Sequence, residues 1–226
     1  QPSLTTIMRL TNPLPVDTVL PDVRATLNEG GMGVLVAPPG AGKTTRVPLA
    51  LLDAPWLGDK KIIVLEPRRI AARGAADYMA RETGGKLGGL VGLRARLASR
   101  VSAATRVEVV TEGVFTRMIL DDPELLGVGA VLFDEYHERS LDADLGLALA
   151  LDARQALRPD LRLLVMSATL DGARVASLLG GCPVISSEGR AFPIETRYLG
   201  RSGMRIEDDM ADAVVRALRD ETGSVL

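Results

Sequence analysis

The sequence predicts an α/β domain: a mostly parallel sheet with helices on both faces. Three observations lead there. Short apolar runs alternate with amphipathic segments along the chain, a glycine-rich loop joins the first such run to the first clear helix, and a later apolar run ends in a pair of acids. Strands separated by helices make βαβ units. Their right-handed crossovers bring the strand C-termini to one edge, where ligands of such sheets bind.

In order, Gly33–Ala37 is a strand candidate and Lys43–Leu52 a helix, ended by Asp53-Ala54-Pro55. Lys61–Leu65 is a second strand, and Arg68–Thr83 a helix stopped by Gly84-Gly85. Arg106–Val110 is a strand, Glu112–Leu120 a helix and Ala130–Phe133 a strand. Leu141–Leu157 is a long helix with an apolar face, Leu161–Met166 a strand and Gly172–Leu179 a helix. Pro183–Ser186 and Ile194–Leu199 are short β runs. Ile206–Asp220 is a helix, acidic early and with Arg216 and Arg219 late, as the helix dipole favours. Residues 1–12 are expected to be an N-terminal extension and 13–226 a single domain. The last residues, Gly223 to Leu226, look like the start of a further strand.

Composition narrows the function classes. The chain has 226 residues and 46% hydrophobic content, ordinary for a globular protein. No apolar run reaches the ~18 residues of a membrane span, and nothing reads as a signal peptide, so a non-membrane, cytoplasmic protein is expected. The lone cysteine, Cys182, excludes an internal disulfide and fits a reducing compartment. Net charge is −2, which alone argues poorly for nucleic-acid binding. Yet the positive charge is nearly all arginine, clustered at Arg68, Arg69 and Arg73 and again at Arg94, Arg96 and Arg100, so a local basic groove is compatible with an acidic domain.

The sharpest local signal is Ala37-Pro38-Pro39-Gly40-Ala41-Gly42-Lys43-Thr44, which follows a strand and opens a helix. Backbone N–H groups of such a loop and helix N-terminus point at nucleotide phosphates. Gly40 and Gly42 permit backbone angles a side chain would forbid, and Ala41 lies between them. Lys43 offers a point charge to the phosphates and Thr44 a hydroxyl to Mg²⁺. Thr45 extends the nucleotide-binding run. The one departure from the strict pattern is Ala37 where glycine is usual.

The second signal is Ala130–Phe133 followed by Asp134-Glu135-Tyr136-His137. An acid after an apolar strand stands at the phosphate edge of a parallel sheet. Asp134 would hold Mg²⁺ through water, and Glu135 would orient the attacking water or take its proton. His137 is the only histidine in the chain, two residues beyond Glu135, and is grouped with Lys43, Asp134 and Glu135 as catalytic. Together the two signals point to Mg-ATP hydrolysis.

These motifs and their order resemble the DEAH-box group of superfamily 2 helicases, and within it the bacterial HrpB-type members. Asp134-Glu135-Tyr136-His137 stands where that group has its DEAH box, and Ser167-Ala168-Thr169 where it has its SAT motif. The run from Leu65 through Pro67-Arg68-Arg69 to Ala72 is similar to motif Ia. Thr111-Glu112-Gly113 is similar to motif Ib, and Val91–Arg96 to the segment leading into the hook turn, although Leu97-Ala98 depart from the usual Phe-Glu. The resemblance runs from about Pro13 to the last residue.

The resemblance implies a first RecA-like helicase domain of the P-loop type, with ATP and Mg²⁺ as cofactors. It implies that Arg68, Arg69, Arg96, Thr111 and Glu112 line a nucleic-acid backbone, expected to be single-stranded RNA. Ser167, Ala168 and Thr169 would couple the phosphate site to a moving domain. The family places an arginine under the adenine at the position occupied here by Tyr78, whose ring could stack on the base instead. The resemblance also implies a second RecA-like domain of the same polypeptide. No motif of that domain follows Thr169, so this chain alone is expected to be nearly inactive. Two other readings stay open: a different P-loop ATPase with a non-nucleic-acid partner, and a non-catalytic nucleotide-dependent module. Motifs Ia and Ib argue against the first, and retention of Lys43 and Glu135 against the second.

Overall fold

A computed structural model describes residues 13–96, 98–169, 172–189, 195–200, 203 and 205–223. The chain divides into two compact units, Gln1–Arg190 and Ala191–Leu226.

The first unit carries an eight-stranded sheet. Its strands are β1 (Met32–Val36), β2 (Lys61–Glu66), β3 (Val91–Ala95), β4 (Ala98–Arg100), β5 (Val107–Thr111), β6 (Val128–Phe133), β7 (Arg162–Ser167) and β8 (Val184–Ser186). The spatial order is β4-β3-β5-β2-β6-β7-β1-β8. Every neighbouring pair is parallel except the β3–β4 hairpin, where Arg94 faces Ser99. The helices are α1 (Leu20–Glu29), α2 (Lys43–Ala50), α3 (Arg69–Glu82), α4 (Glu112–Asp121), α5 (Leu141–Ala156) and α6 (Gly172–Leu178).

Strand side chains alternate between two cores, as the two-residue period of a strand demands. Ile62 and Val64 face α1, α2 and α3, where they meet Leu27, Val47, Ala76 and Met79. Ile63 and Leu65 face the opposite layer, with Phe115, Ile119, Leu147 and Val175 from α4, α5 and α6. Strands buried on both faces read as unbroken apolar runs, and for that reason β2, β6 and β7 were legible in the sequence.

The expected elements are present with adjusted ends. β6 begins at Val128 rather than Ala130, and α2 ends at Ala50, two residues after Pro48, which cannot donate to the helix ladder. Three strands or α-helices escaped sequence reading, among them β3, whose residues were read only as a segment leading into a turn. Another is α1, which buries only Val23 and Leu27 and so shows little amphipathic pattern. The third is the hairpin partner β4, whose residues are all exposed and polar or small. One expectation is corrected. The run Ile194–Leu199 is not a strand over residues 195–199, and Ile194 lies outside the described residues. Its alternating pattern finds no ladder partner there. Pro183–Ser186 does pair, since Val34 N–H donates to the Pro183 carbonyl at 3.0 Å and β8 lies parallel to β1.

The second unit contains α7 (Ile206–Asp220) and residues 195–200, where Arg197 bonds Glu195 and Glu221.

At the end of β6, Phe133 is 1% exposed and stands edge-on to Phe115 at 5.8 Å and to Tyr136 at 6.5 Å. Truncating a buried aromatic leaves a void the close-packed core cannot fill. Phe133→Ala is expected to lower unfolding free energy by about 3–5 kcal/mol in urea titrations; a loss below about 1 kcal/mol would contradict this packing role.

Candidate active site

The site is assembled at the C-terminal edge of the sheet. After β1 the chain turns through Gly40 and Gly42, both left-handed at φ 78° and 92°. At Gly42 a side chain is doubly excluded, because an added Cβ would lie 2.5 Å from Leu14 Cδ1. The loop is tied down at each end: Ala37 N–H donates to the Ser167 carbonyl at 2.9 Å, and the Ala41 carbonyl accepts from Val16 N–H at 3.0 Å. α2 then starts at Lys43, so its first N–H groups face the loop's concavity.

Four expected side chains converge here. Lys43, 3% exposed, places Nζ 2.8 Å from Glu135 Oε1. Thr44 Oγ1 donates to Asp134 Oδ2. Asp134 also accepts the Glu135 N–H on Oδ1 at 2.8 Å, and its own N–H donates to the Leu65 carbonyl at 3.0 Å. Thr45 sits in the first turn of α2, half-buried, its N–H directed to Gly42 O at 3.3 Å. Glu135 adopts φ 48°, an unusual conformation for a non-glycine residue, and opens a 3₁₀ turn over Tyr136–Glu138. This kink is how the chain leaves a buried strand and still aims Glu135 back at Lys43.

His137 closes the other side. Its Nδ1 accepts the Ala168 N–H at 3.2 Å and lies 3.4 Å from Glu135 Oε2. One nitrogen cannot accept that N–H and also donate to a carboxylate. The backbone contact has the better geometry, so the ring carries its proton on Nε2 and the approach to Glu135 is proximity rather than an ion pair. Ser167 Oγ accepts Thr169 N–H at 3.2 Å and lies 3.3 Å from Thr169 Oγ1. The Ser167–Thr169 segment is thus joined to the acidic turn through Ala168.

A residue not singled out from the sequence belongs to the site. Glu66 ends β2, beside β6, and is 3% exposed. Burial, and next the charge of Asp134, push its carboxyl up to about 9, and the protonated group hydrogen-bonds Asp134. Burial, and the charge of Glu135, push Asp134 upward as well, while Lys43, Thr44 and the Glu135 N–H oppose that rise. Glu66 was visible only as part of a basic motif; its role depends on strand order.

Other expected residues are placed as follows. Arg68 donates to Glu138 Oε1 at 2.8 Å. Arg69 lines a groove of about 1180 Å³ between α3 and the β3–β4 hairpin, with Ile70, Arg73 and Arg100. Arg96 is exposed at the hairpin turn. Thr111 caps α4 without a side-chain cap bond, and the carboxylate of Glu112 accepts from Ser140 Oγ at 2.5 Å rather than standing free. Tyr78 is 37% exposed on α3. It follows Ala71 and Ala75 at helical spacing, and those two line a cavity of about 290 Å³ with Thr44, Glu66, Glu135 and Glu138.

Known proteins resemble this chain over most of its length. A family profile described as DEAD/DEAH box helicase matches residues 21–178. The chain is 53% identical over 214 residues to the ATP-dependent RNA helicase HrpB of Escherichia coli (strain K12), covering 94% of this chain and 26% of that protein. It is 32% identical over 212 residues to the probable ATP-dependent RNA helicase DHR2 of Saccharomyces cerevisiae, covering 93% of this chain and 28% of that protein. A crystal structure of the Escherichia coli DEAH/RHA helicase HrpB superposes with a TM-score of 0.87 at 53% identity, covering 93% of this chain and 27% of that one. The chain therefore spans about a quarter of the length of these relatives.

The Glu66 carboxyl makes stability depend on pH. Its folded pKa lies above the ordinary 4.5, so its contribution is complete below that value and is lost as pH rises toward about 9. In metal- and nucleotide-free protein, Glu66→Gln should flatten the fall in melting temperature across that window. Parallel curves for the two proteins would sink the assignment.

Proposed function

The chain belongs to the DEAD/DEAH box helicase family, and on that premise we propose that it is the ATP-binding domain of an ATP-dependent RNA helicase. The single observation that carries this reading is the convergence of Lys43 and Thr44 from one loop on Glu135 and Asp134 from a distant strand end. Such a cluster fits Mg-ATP in charge and donor type. Lys43 would hold the β- and γ-phosphates, Gly40 to Thr45 would surround them with backbone N–H groups, and Thr44 would hold Mg²⁺ directly, with Asp134 holding it through water. The metal, when bound, would supply positive charge against the negative charge that develops on the phosphate oxygens.

The chain's own residues supply the rest. Glu135 orients the attacking water and accepts its proton. The paired Lys43 and Glu135 of the nucleotide-free site separate when phosphate takes the ammonium, which frees the carboxylate for that task. His137, with its proton on Nε2, presents a donor from the acidic turn and ties the turn to Ala168. Ser167 and Thr169 respond to movement at that edge and pass it to a second RecA-like domain of the same polypeptide, which supplies the remaining charge stabilisation. Without that partner this chain hydrolyses ATP very slowly. Residues 13–190 hold the nucleotide-binding fold, and the reading that this domain continues to residue 226 rests on the resemblance alone.

The nucleic acid lies along the arginine face. Arg68, Arg69 and Arg96 contact phosphates, with Thr111 and the N-terminus of α4 adding donors that follow the backbone without reading bases. Tyr78 stacks on adenine from the helix face that also presents Ala71 and Ala75. RNA is preferred over DNA because the relatives' names specify it. A cytoplasmic setting suits this activity, and no described helix is long and apolar enough to cross a membrane.

The test is ATP hydrolysis by the full polypeptide with single-stranded RNA or DNA at two salt concentrations. RNA is expected to stimulate, less so at higher salt, because phosphate contacts release counterions. Hydrolysis indifferent to either polymer would remove the helicase reading and leave only an ATPase. Glu135→Gln is expected to reduce the stimulated kcat about 100-fold or more, with little change in nucleotide affinity. Tyr78→Ala should weaken ATP and ADP binding alike; unchanged affinities would return Tyr78 to a surface role.

A further inference from the structure

The turn that presents Glu135 and His137 is bounded by two non-glycine residues in left-handed conformations, Glu135 at φ 48° and Arg139 at φ 50°. Such backbone persists only where surrounding contacts over-determine it. Besides the Lys43–Glu135 pair, three side-chain tethers hold the turn among the described residues. Tyr136, 5% exposed, donates its hydroxyl to Asp144 of α5 at 2.8 Å, and the Arg139 guanidinium holds the same carboxylate at 2.7 Å. Asp144 is thereby kept below the ordinary carboxylate range, and burial pushes the Tyr136 phenol up, so the phenol remains a donor. His137 is tied to Ala168 at the end of β7. The third tether is Glu138, which accepts from Arg68.

Two of the ion pairs are exposed: the side chains of Arg139 and Asp144 are 55% and 39% exposed, those of Arg68 and Glu138 70% and 33%. Only the latter pair includes a residue of the basic groove, Arg68. Arg68 also lines two cavities, the one it shares with Glu135 and Thr44 and the groove it shares with Arg69, Arg73 and Arg100. It is a side chain of the acidic turn's own hydrogen-bond network that also faces the proposed path of the nucleic acid.

We propose that Glu138 is a positioning residue for ATP hydrolysis, acting through Arg68 as a restraint that a nucleic-acid phosphate releases. The inference rests on the reading above that the arginine face binds a nucleic-acid backbone. A guanidinium fork serves a carboxylate or a phosphate with the same donors. Exposed ion pairs are weak in water, so a phosphate gathered by several neighbouring arginines displaces Glu138 from Arg68. With the groove empty, the turn is held and Glu135 stays on Lys43. With the groove filled, the turn loses its tether to Arg68, and Glu135 can be re-aimed once phosphate has claimed Lys43. The sequence keeps Glu138 beside the box but gives no sign of this partner, which comes from a segment 70 residues earlier.

The experiment compares wild type, Glu138→Ala and Glu138→Gln in the full polypeptide. ATPase is measured without and with single-stranded RNA, alongside RNA affinity. Glu138→Ala is expected to raise the RNA-free rate several-fold and bring the stimulation ratio toward unity, while RNA binds as tightly as in wild type or more so. Glu138→Gln, which keeps an oxygen acceptor, should fall between the two. A Glu138→Ala protein with the wild-type basal rate and wild-type stimulation overturns the proposal, as does one with a lowered basal rate or weakened RNA binding. A wild type that RNA does not stimulate defeats the helicase reading itself, which separates the two failures.

Discussion

Three carboxyl groups, those of Glu66, Asp134 and Glu135, meet at one edge of the sheet beside a single ammonium group that is 3% exposed. Carboxylates this close cannot all be ionised out of water without a large penalty. The site resolves the conflict in three ways. Glu66 keeps its proton, Lys43 neutralises Glu135, and Asp134 is satisfied by the Thr44 hydroxyl and a backbone N–H. The balance is provisional by design, because the chemistry proposed here withdraws Lys43 to a phosphate. A buried charge that loses its partner is costly. On the proposed function, a polyanion arriving with a divalent cation would restore both charges at once.

The fold exists to hold those groups without letting them drift. β2, β6, β7 and β1 lie side by side and parallel, so the carboxyl groups at the ends of β2 and β6 and the loop after β1 share one edge. Two apolar layers clamp the strands from both faces. Immediately behind Asp134, Phe133 locks into Phe115 and Tyr136, so the last core residue of β6 and the first residues of the acidic turn are packed as one body. Fixed donors and charges of this kind are what lets an active site stabilise developing charge without reorganising.

The acidic turn is where stability and responsiveness meet. Tyr136 replaces a small residue of the family pattern and uses its ring in the core and its hydroxyl on Asp144. Ser140, just after the turn, caps α5 by accepting the Ala143 N–H and donates to Glu112 at the start of α4. Arg68 and Glu112, both read from the sequence as nucleic-acid contacts, also bond residues near the catalytic pair, Arg68 to Glu138 and Glu112 to Ser140. The proposed nucleic-acid face and the acidic turn are thus adjacent parts of one hydrogen-bonded surface, which shortens the physical path any coupling between them must cover.

The sequence by itself determined the parallel α/β class, the phosphate loop, the acid pair and the family. These are written locally: a doubly buried strand is a continuous apolar run, a phosphate loop needs glycines at fixed positions before a helix, and an acid after such a strand has only one edge of the sheet to occupy. Tertiary structure alone decided what Glu66, Glu112, Glu138 and Tyr136 do. Their partners, Asp134, Ser140, Arg68 and Asp144, come from other strands, helices or turns, and which side chains meet follows from the strand order. α1 and β4 were hidden for the opposite reason, since each buries too little to leave a pattern. A residue's type limits the bonds it can form, but its neighbours across the fold set its charge and its task, because burial and proximity act through space rather than along the chain.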